Sequence, residues 1–287
     1  MRFAISFPPH GEYAHPRRAC ELAVIAEHAG WDGVFVWDHL LFAKDFIGPI
    51  ADPWILLAAI AVKTERVQIG PMVTPLARRR PWKVARETVT LDHLSGGRVI
   101  LGVGLGYPAD SEFEQFGEDG DARTRADRLD EALEIVTGLW SGEPFSFDGS
   151  HHQVKRCTFL PRPVQSPRIP IWVGGYWPNR RPFRRAARWD GVFPGRLTLE
   201  RRKSWTPELF DPQTYAEIEA YVRQHRSSTA PYDFVVGGYT TGTDEAGDHE
   251  TIARYDRIGV TWWVENVHGF RGSFEQMRDR VAAGPPR

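Results

Sequence analysis

Eight times along the chain, a short apolar run gives way to a stretch with helical spacing. The runs are Phe3–Phe7, Gly33–Trp37, Val67–Val73, Val99–Gly104, Ile169–Val173, Gly191–Phe193, Phe234–Gly237 and Thr261–Val264. They are almost wholly apolar, as parallel strands covered on both faces must be. Pro16, Pro53 and Pro81 stand at helix starts, where a missing N–H costs nothing. Between Arg123 and Trp140, Leu129, Leu133, Val136 and Trp140 share one helix face. Eight β-then-α units predict a closed (β/α)8 TIM barrel of the α/β class. An open, doubly wound sheet is the alternative for the same rhythm. The 287 residues suit one barrel domain spanning 1–287, since such barrels take about 250 residues. The rhythm breaks after the fourth unit, over about 141–168, where Pro, Gly, His and aromatics predict an insertion with a hairpin near Asp148-Gly149.

Composition narrows the function classes. With 36 Lys+Arg against 37 Asp+Glu, the net charge of −1 argues against a general nucleic-acid binder. No apolar run approaches the ~20 residues of a membrane span. Arg2 leads at once into an apolar run and Pro8-Pro9, so no signal peptide is expected. Two cysteines make neither a disulfide framework nor a zinc cluster, and a cytoplasmic location is the expectation.

In a barrel, chemistry lies where the strands end at their C-terminal side. His39, one residue past the second strand and beside Asp38, is the candidate catalytic group, because a histidine near neutrality can donate or hold a proton. Capping by Asp38-His39 is the alternative. His10 and Trp177 are candidate substrate-pocket residues. Gly102-Val103-Gly104-Leu105-Gly106 comes after a strand, but Tyr107 stands where a dinucleotide fingerprint needs glycine. Gly104 and Gly106 instead allow the chain to pass close to a planar ring, or simply to turn. Gly174-Gly175 precede a helix, where free amides attract phosphate. This rim is rich in glycine and aromatics and reads as poor in carboxylates, which suits a flat aromatic ligand better than a metal; no metal site is expected.

Four segments resemble the bacterial luciferase-like superfamily of flavin and deazaflavin oxidoreductases: Trp37-Asp38-His39, Arg66–Gly70, Thr90–Gly104 with its Leu91-Asp92-His93-Leu94-Ser95-Gly96-Gly97-Arg98 run, and Pro170–Gly175. The resemblance implies a TIM barrel holding reduced FMN, or the deazaflavin coenzyme F-420 (F420), at its C-terminal mouth. It implies a cis peptide at Met72-Val73 against the cofactor ring, a cofactor wall at Gly104, Gly106 and Tyr107, a phosphate region at Gly174-Gly175, and His39 by the reactive face. It also implies helices two and three as a homodimer surface. Two positions depart from deazaflavin sugar-phosphate dehydrogenases. Tyr107 replaces an acidic residue, with Asp110 beyond it, and Phe42-Ala43 stand where those enzymes carry a Trp after the histidine.

The leading expectation is therefore a two-component monooxygenase that takes reduced FMN from a separate flavin reductase and uses molecular oxygen on a small organic substrate. The alternative is F420-dependent hydride transfer. A metal hydrolase built on His10, His39 and His268, and a flavin-binding protein without catalysis, complete the set.

Overall fold

The computed structural model describes residues 1–43, 45–196 and 210–286. Among them nine parallel strands form one sheet: β1 (Arg2–Phe7), β2 (Gly33–Val36), β3 (Gln68–Pro71), β4 (Thr74–Pro75), β5 (Leu101–Gly104), β8 (Ile171–Trp177), β9 (Gly191–Arg196), β10 (Asp233–Gly238) and β11 (Trp262–Asn266). The order is β3-β2-β1-β11-β10-β9-β8-β5-β4. β4 continues the line of β3, and a parallel bridge from Ile69 to Val99 closes the ring. The (β/α)8 expectation holds: eight staves form the barrel, one of them in two pieces. That break replaces the continuous strand expected over 67–73, and it contains the cis peptide Met72-Val73.

Helices α1 (Pro16–His28), α2 (Pro53–Ala61), α3 (Pro81–Ser95), α5 (Ala122–Trp140), α6 (Arg180–Ala186), α7 (Pro212–His225), α8 (Glu245–Asp256) and α9 (Phe274–Ala282) surround it. Their ends obey local chemistry. The Asp52 carboxylate accepts from the N–H groups of Trp54 and Ile55 at 2.9 Å, and Ser273 with Gln276 forms a capping box. Gly96, at φ 68, closes α3 in the left-handed region. The insertion holds the expected hairpin, β6 (Phe145–Asp148) against β7 (Gln153–Cys157), antiparallel.

The core has two parts, set by strand alternation. Outward-facing Phe3, Ile5, Val34, Leu101 and Val173 meet the helices. Ala4, Phe35, Met72, Ile100, Trp172, Val235, Trp262 and Val264 fill the barrel. Phe35, Trp172 and Trp262 plug it with ring centroids 5.3–6.2 Å apart. One layer nearer the mouth, Trp37, Val73, Gly174, Phe193 and Gly237 are only half-buried, so the barrel opens there. None of the helices among the described residues is long and apolar enough to cross a membrane.

Candidate functional site

The mouth is built from the segments that leave the C-terminal ends of the strands. After β2, the Asp38 carboxylate accepts from Thr74 Oγ1, from Arg78 and, in a two-pronged pair at 2.9 Å, from Arg79. This fork fixes the turn and leaves His39 on the mouth side, with 17% of its side chain exposed. Trp37 donates from Nε1 to Ser6 Oγ at 2.8 Å.

A short helix unforeseen from the sequence, α4 (Ala109–Glu112), comes after β5 and brings Glu112 under this turn. Glu112 is fully buried and 3.1 Å from His39 Nδ1. It also accepts from the backbone N–H groups of Leu40, Leu41 and Phe42 at 2.9–3.3 Å. Arg78 lies 3.5 Å from its other oxygen. Burial alone would raise its pKa, but the His39 hydrogen bond and charge, the Leu40 N–H and Arg78 outweigh burial and hold the carboxyl down at about 2. The rim is thus not poor in carboxylates: Asp38 and Glu112 are both buried there, each with partners. Sequence reasoning misses Glu112 because it looks for an acidic group directly after the glycines, whereas a helical turn carries this one back.

Val73 lies on the neighbouring stave, next to Thr74, which binds Asp38. A Cβ on Gly104 would lie 2.5 Å from Val73 Cγ2, and one on Gly174 would lie 3.1 Å from Val73 Cγ1. Val73 therefore sits in a slot that only two glycines leave open. Met72 lies beneath it in the barrel interior. Tyr107 is exposed at the rim, its ring 5.9 Å from Tyr176.

Other expectations need correction. Gly174 and Gly175 lie within β8, paired with Phe193 and Pro194 of β9, and not at a free helix start; α6 begins only at Arg180. Strand alternation points Gly175 outward, where a Cβ would meet Pro182 at 2.3 Å. Gly106 turns at φ +83, and its Cβ position faces Phe113 and Pro75, not the mouth. Trp177 is in β8, not a loop, and points outward: it is 8% exposed, with its ring against Phe183 and Tyr221. His10 is drawn into the mouth's edge, 7% exposed, by a bridge between its backbone and Ile50. Among the described residues no group of His, Cys, Asp and Glu is arranged to hold a metal ion.

Comparison with known proteins agrees with this architecture. A family model described as luciferase-like monooxygenase matches residues 1–283. An F420-dependent glucose-6-phosphate dehydrogenase of Microbacterium testaceum is 39% identical over 181 residues, 62% of this chain and 52% of that protein. One from Beutenbergia cavernae is 36% identical over 178 residues, 61% and 52% of the two chains. The chain thus spans about half the length of the curated relatives it matches. Among solved structures, an F420-dependent secondary alcohol dehydrogenase in complex with an F420-acetone adduct superposes with a TM-score of 0.78 at 19% identity, over 98% of this chain and 97% of that one. The monooxygenase RslO1 from Streptomyces bottropensis gives 0.76 at 22%, over 98% and 96%. At such identities the likeness speaks for the fold.

Proposed function

We propose that this chain, which belongs to the luciferase-like monooxygenase family, is an oxidoreductase that transfers hydride between coenzyme F420 and a small organic substrate. The observation that carries this reading is the ionised Glu112 seated 3.1 Å from His39 Nδ1 at the open end of the barrel. The names of the curated relatives favour the same coenzyme. Reduced FMN with oxygen, the leading expectation from the sequence, yields to the alternative, and a separate flavin reductase falls away with it.

Gly104 and Gly174 let Val73 seat against the barrel wall, since a Cβ at either would press on its methyl groups, and the half-buried Val73 side chain is the face offered to a flat fused ring. Met72, Val73, Gly104, Gly174 and Tyr107 are the residues that would hold the coenzyme. When bound, F420 accepts or gives a hydride and so leaves a proton to be handled separately. His39 handles it. Glu112 occupies Nδ1, so Nε2 is the nitrogen presented to a hydroxyl or carbonyl. The carboxylate also holds the ring in one orientation while Nε2 takes or gives the proton. Trp37 and Phe42, with ring centroids 6.2 and 5.2 Å from His39, shield it from water.

The reading includes a homodimer through α2. This helix is apolar on every side, and Ile55 and Val62 at its outer face are 69% and 61% exposed.

Titration of the purified protein with F420 and with FMN tests the proposal. Quenching of F420 fluorescence on binding, and bleaching of F420 by alcohols without oxygen, are expected. Tight FMN binding with oxygen consumption, and no F420 binding, would overturn it.

A further inference from the structure

We propose that a cleft on the outer wall of the barrel, between α5 and α6, is a binding site for a polyphosphate: two or more linked phosphoryl groups, either free or carried by a nucleotide. The cleft is lined by residues of these helices and their ends, and by none of the strand ends that form the mouth, so the proposal stands apart from the F420 reading.

The cleft measures about 210 Å³ and is lined by Asp130 of α5 and by Arg181, Arg184, Arg185 and Arg188, on and just past α6. Spacings of three and four residues bring these arginines to one side of the helix. Three of them converge on a single carboxylate. Asp130 accepts from Arg185 Nε at 2.6 Å and Nη2 at 2.8 Å, from Arg188 at 2.9 Å and from Arg181 at 3.2 Å. Burial alone would raise the pKa of Asp130, but the Arg185 hydrogen bond and charge, with Arg181 and Arg188, outweigh burial and hold it below the usual carboxylate range. The aspartate is therefore ionised at neutral pH.

Even ionised, Asp130 does not balance the charge around it. Asp127 pairs with Arg181, which already shares Asp130. Arg184 donates to the neutral Tyr221 hydroxyl at 3.2 Å. Arg180, one position ahead of Arg181, stacks over Trp177 and Tyr221 at 3.8 and 4.6 Å, and an aromatic face holds a guanidinium without neutralising it. Among the described residues, Asp127 and Asp130 are the carboxylates within ion-pair reach of these five arginines. Five positive charges against two negative ones leave a surplus of three, which a further anion beside Asp130 offsets.

The chemistry of the donors selects the anion. Guanidinium groups present paired N–H donors that match phosphoryl oxygens, and they are more weakly hydrated than an ammonium. A carboxylate ligand brings one charge to a surplus of three, whereas linked phosphoryl groups bring several. The cleft is smaller than the ~300–1,000 Å³ of sites that enclose a drug-sized molecule. It therefore takes the anionic part and leaves any attached group in water. Arg185 lies deepest, with 3% of its side chain exposed, and Arg188 is open to solvent at 56%, so added salt weakens binding.

Calorimetric titration of the purified protein with inorganic pyrophosphate at low ionic strength tests the proposal, with thermal melts to check folding. Binding is expected, together with a raised melting temperature. Arg184→Gln and Arg188→Gln change exposed side chains, and each is expected to weaken pyrophosphate about three- to tenfold. Arg254→Gln, the same change of net charge on exposed α8, is expected to leave the affinity as it is. Inorganic triphosphate against ATP identifies the source: tighter ATP assigns a nucleotide, tighter triphosphate the free anion, and both support the site. No pyrophosphate binding, folded Arg184→Gln and Arg188→Gln proteins that bind like the parent, or an equal loss in Arg254→Gln would overturn it. So would displacement of pyrophosphate by F420, which would place the anion in the mouth.

Discussion

Nδ1 of His39 and Oε1 of Glu112 sit 3.1 Å apart although 73 residues separate them along the chain. The carboxylate also gathers the N–H groups of residues 40–42, so one buried side chain both shapes the turn after β2 and sets the histidine's orientation.

Glu112→Gln should therefore act twice. The amide brings an NH2 group against backbone donors, which costs about 1–3 kcal/mol of stability. Losing the carboxylate acceptor that orients His39 should lower kcat by on the order of 100-fold. A merely structural role would lower only the urea midpoint. A shifted pH profile of kcat/KM in the folded variant is the distinguishing result.

Adding a methyl at Gly104 should push Val73 out of its seat more than adding one at Gly174, because the approaches to Val73 are 2.5 and 3.1 Å. Gly104→Ala is expected to raise the F420 dissociation constant about tenfold or more, and Gly174→Ala less, since overpacking grows with overlap. Fluorescence titration gives both values, and the reverse order would contradict the slot.

His10 and His268 each have a pKa lowered from 6.5 to about 4, burial being the largest cause. A lowered histidine pKa means that the unfolded chain binds the proton more readily than the folded one. Stability from this source is full above pH 6.5 and is lost as pH falls from 6.5 towards 4. The melting temperature should drop across that window. His268→Gln, which cannot charge, should show a shallower drop; equal slopes would refute the assignment.

The Arg98 guanidinium makes five hydrogen bonds, to Ala61, Thr64 (twice), Val67 and Ser95. Lysine cannot reproduce that planar fork. Arg98→Lys is expected to lower stability by about 2–4 kcal/mol without changing kcat per folded molecule, as parallel urea melts and rate measurements would register.

If α2 forms the dimer surface, Ile55→Asp should yield monomers in sedimentation experiments while the parent sediments as a dimer. A monomeric parent would remove that part of the proposal.

The barrel was legible because hydrophobic periodicity and helix-start prolines are local signals. Each strand and helix can be read from about ten neighbouring residues. The same holds for Asp52 and Gly96, whose capping roles depend on residues two to four positions away. The run from Leu91 to Arg98 carried the family resemblance, yet it builds a structural knot: Asp92 accepts from Val164 and Gln165, and Arg98 ties α2 to α3. His39 was locatable because it lies just past a strand's end, whereas the cis bond at Met72-Val73 was reached only through the family resemblance.

The linear chain by itself determined the alternation of elements and the set of groups delivered to one end of the barrel. Tertiary structure alone decided which of those groups meet. Glu112 reaches His39 only because a single helical turn folds back after β5, and Gly106, Gly175 and Trp177 face away from the mouth only because of a turn's hand and a strand's pleat. Side-chain direction changes with every residue in a strand and with every turn between elements. It is fixed by packing against distant partners, which no local window contains.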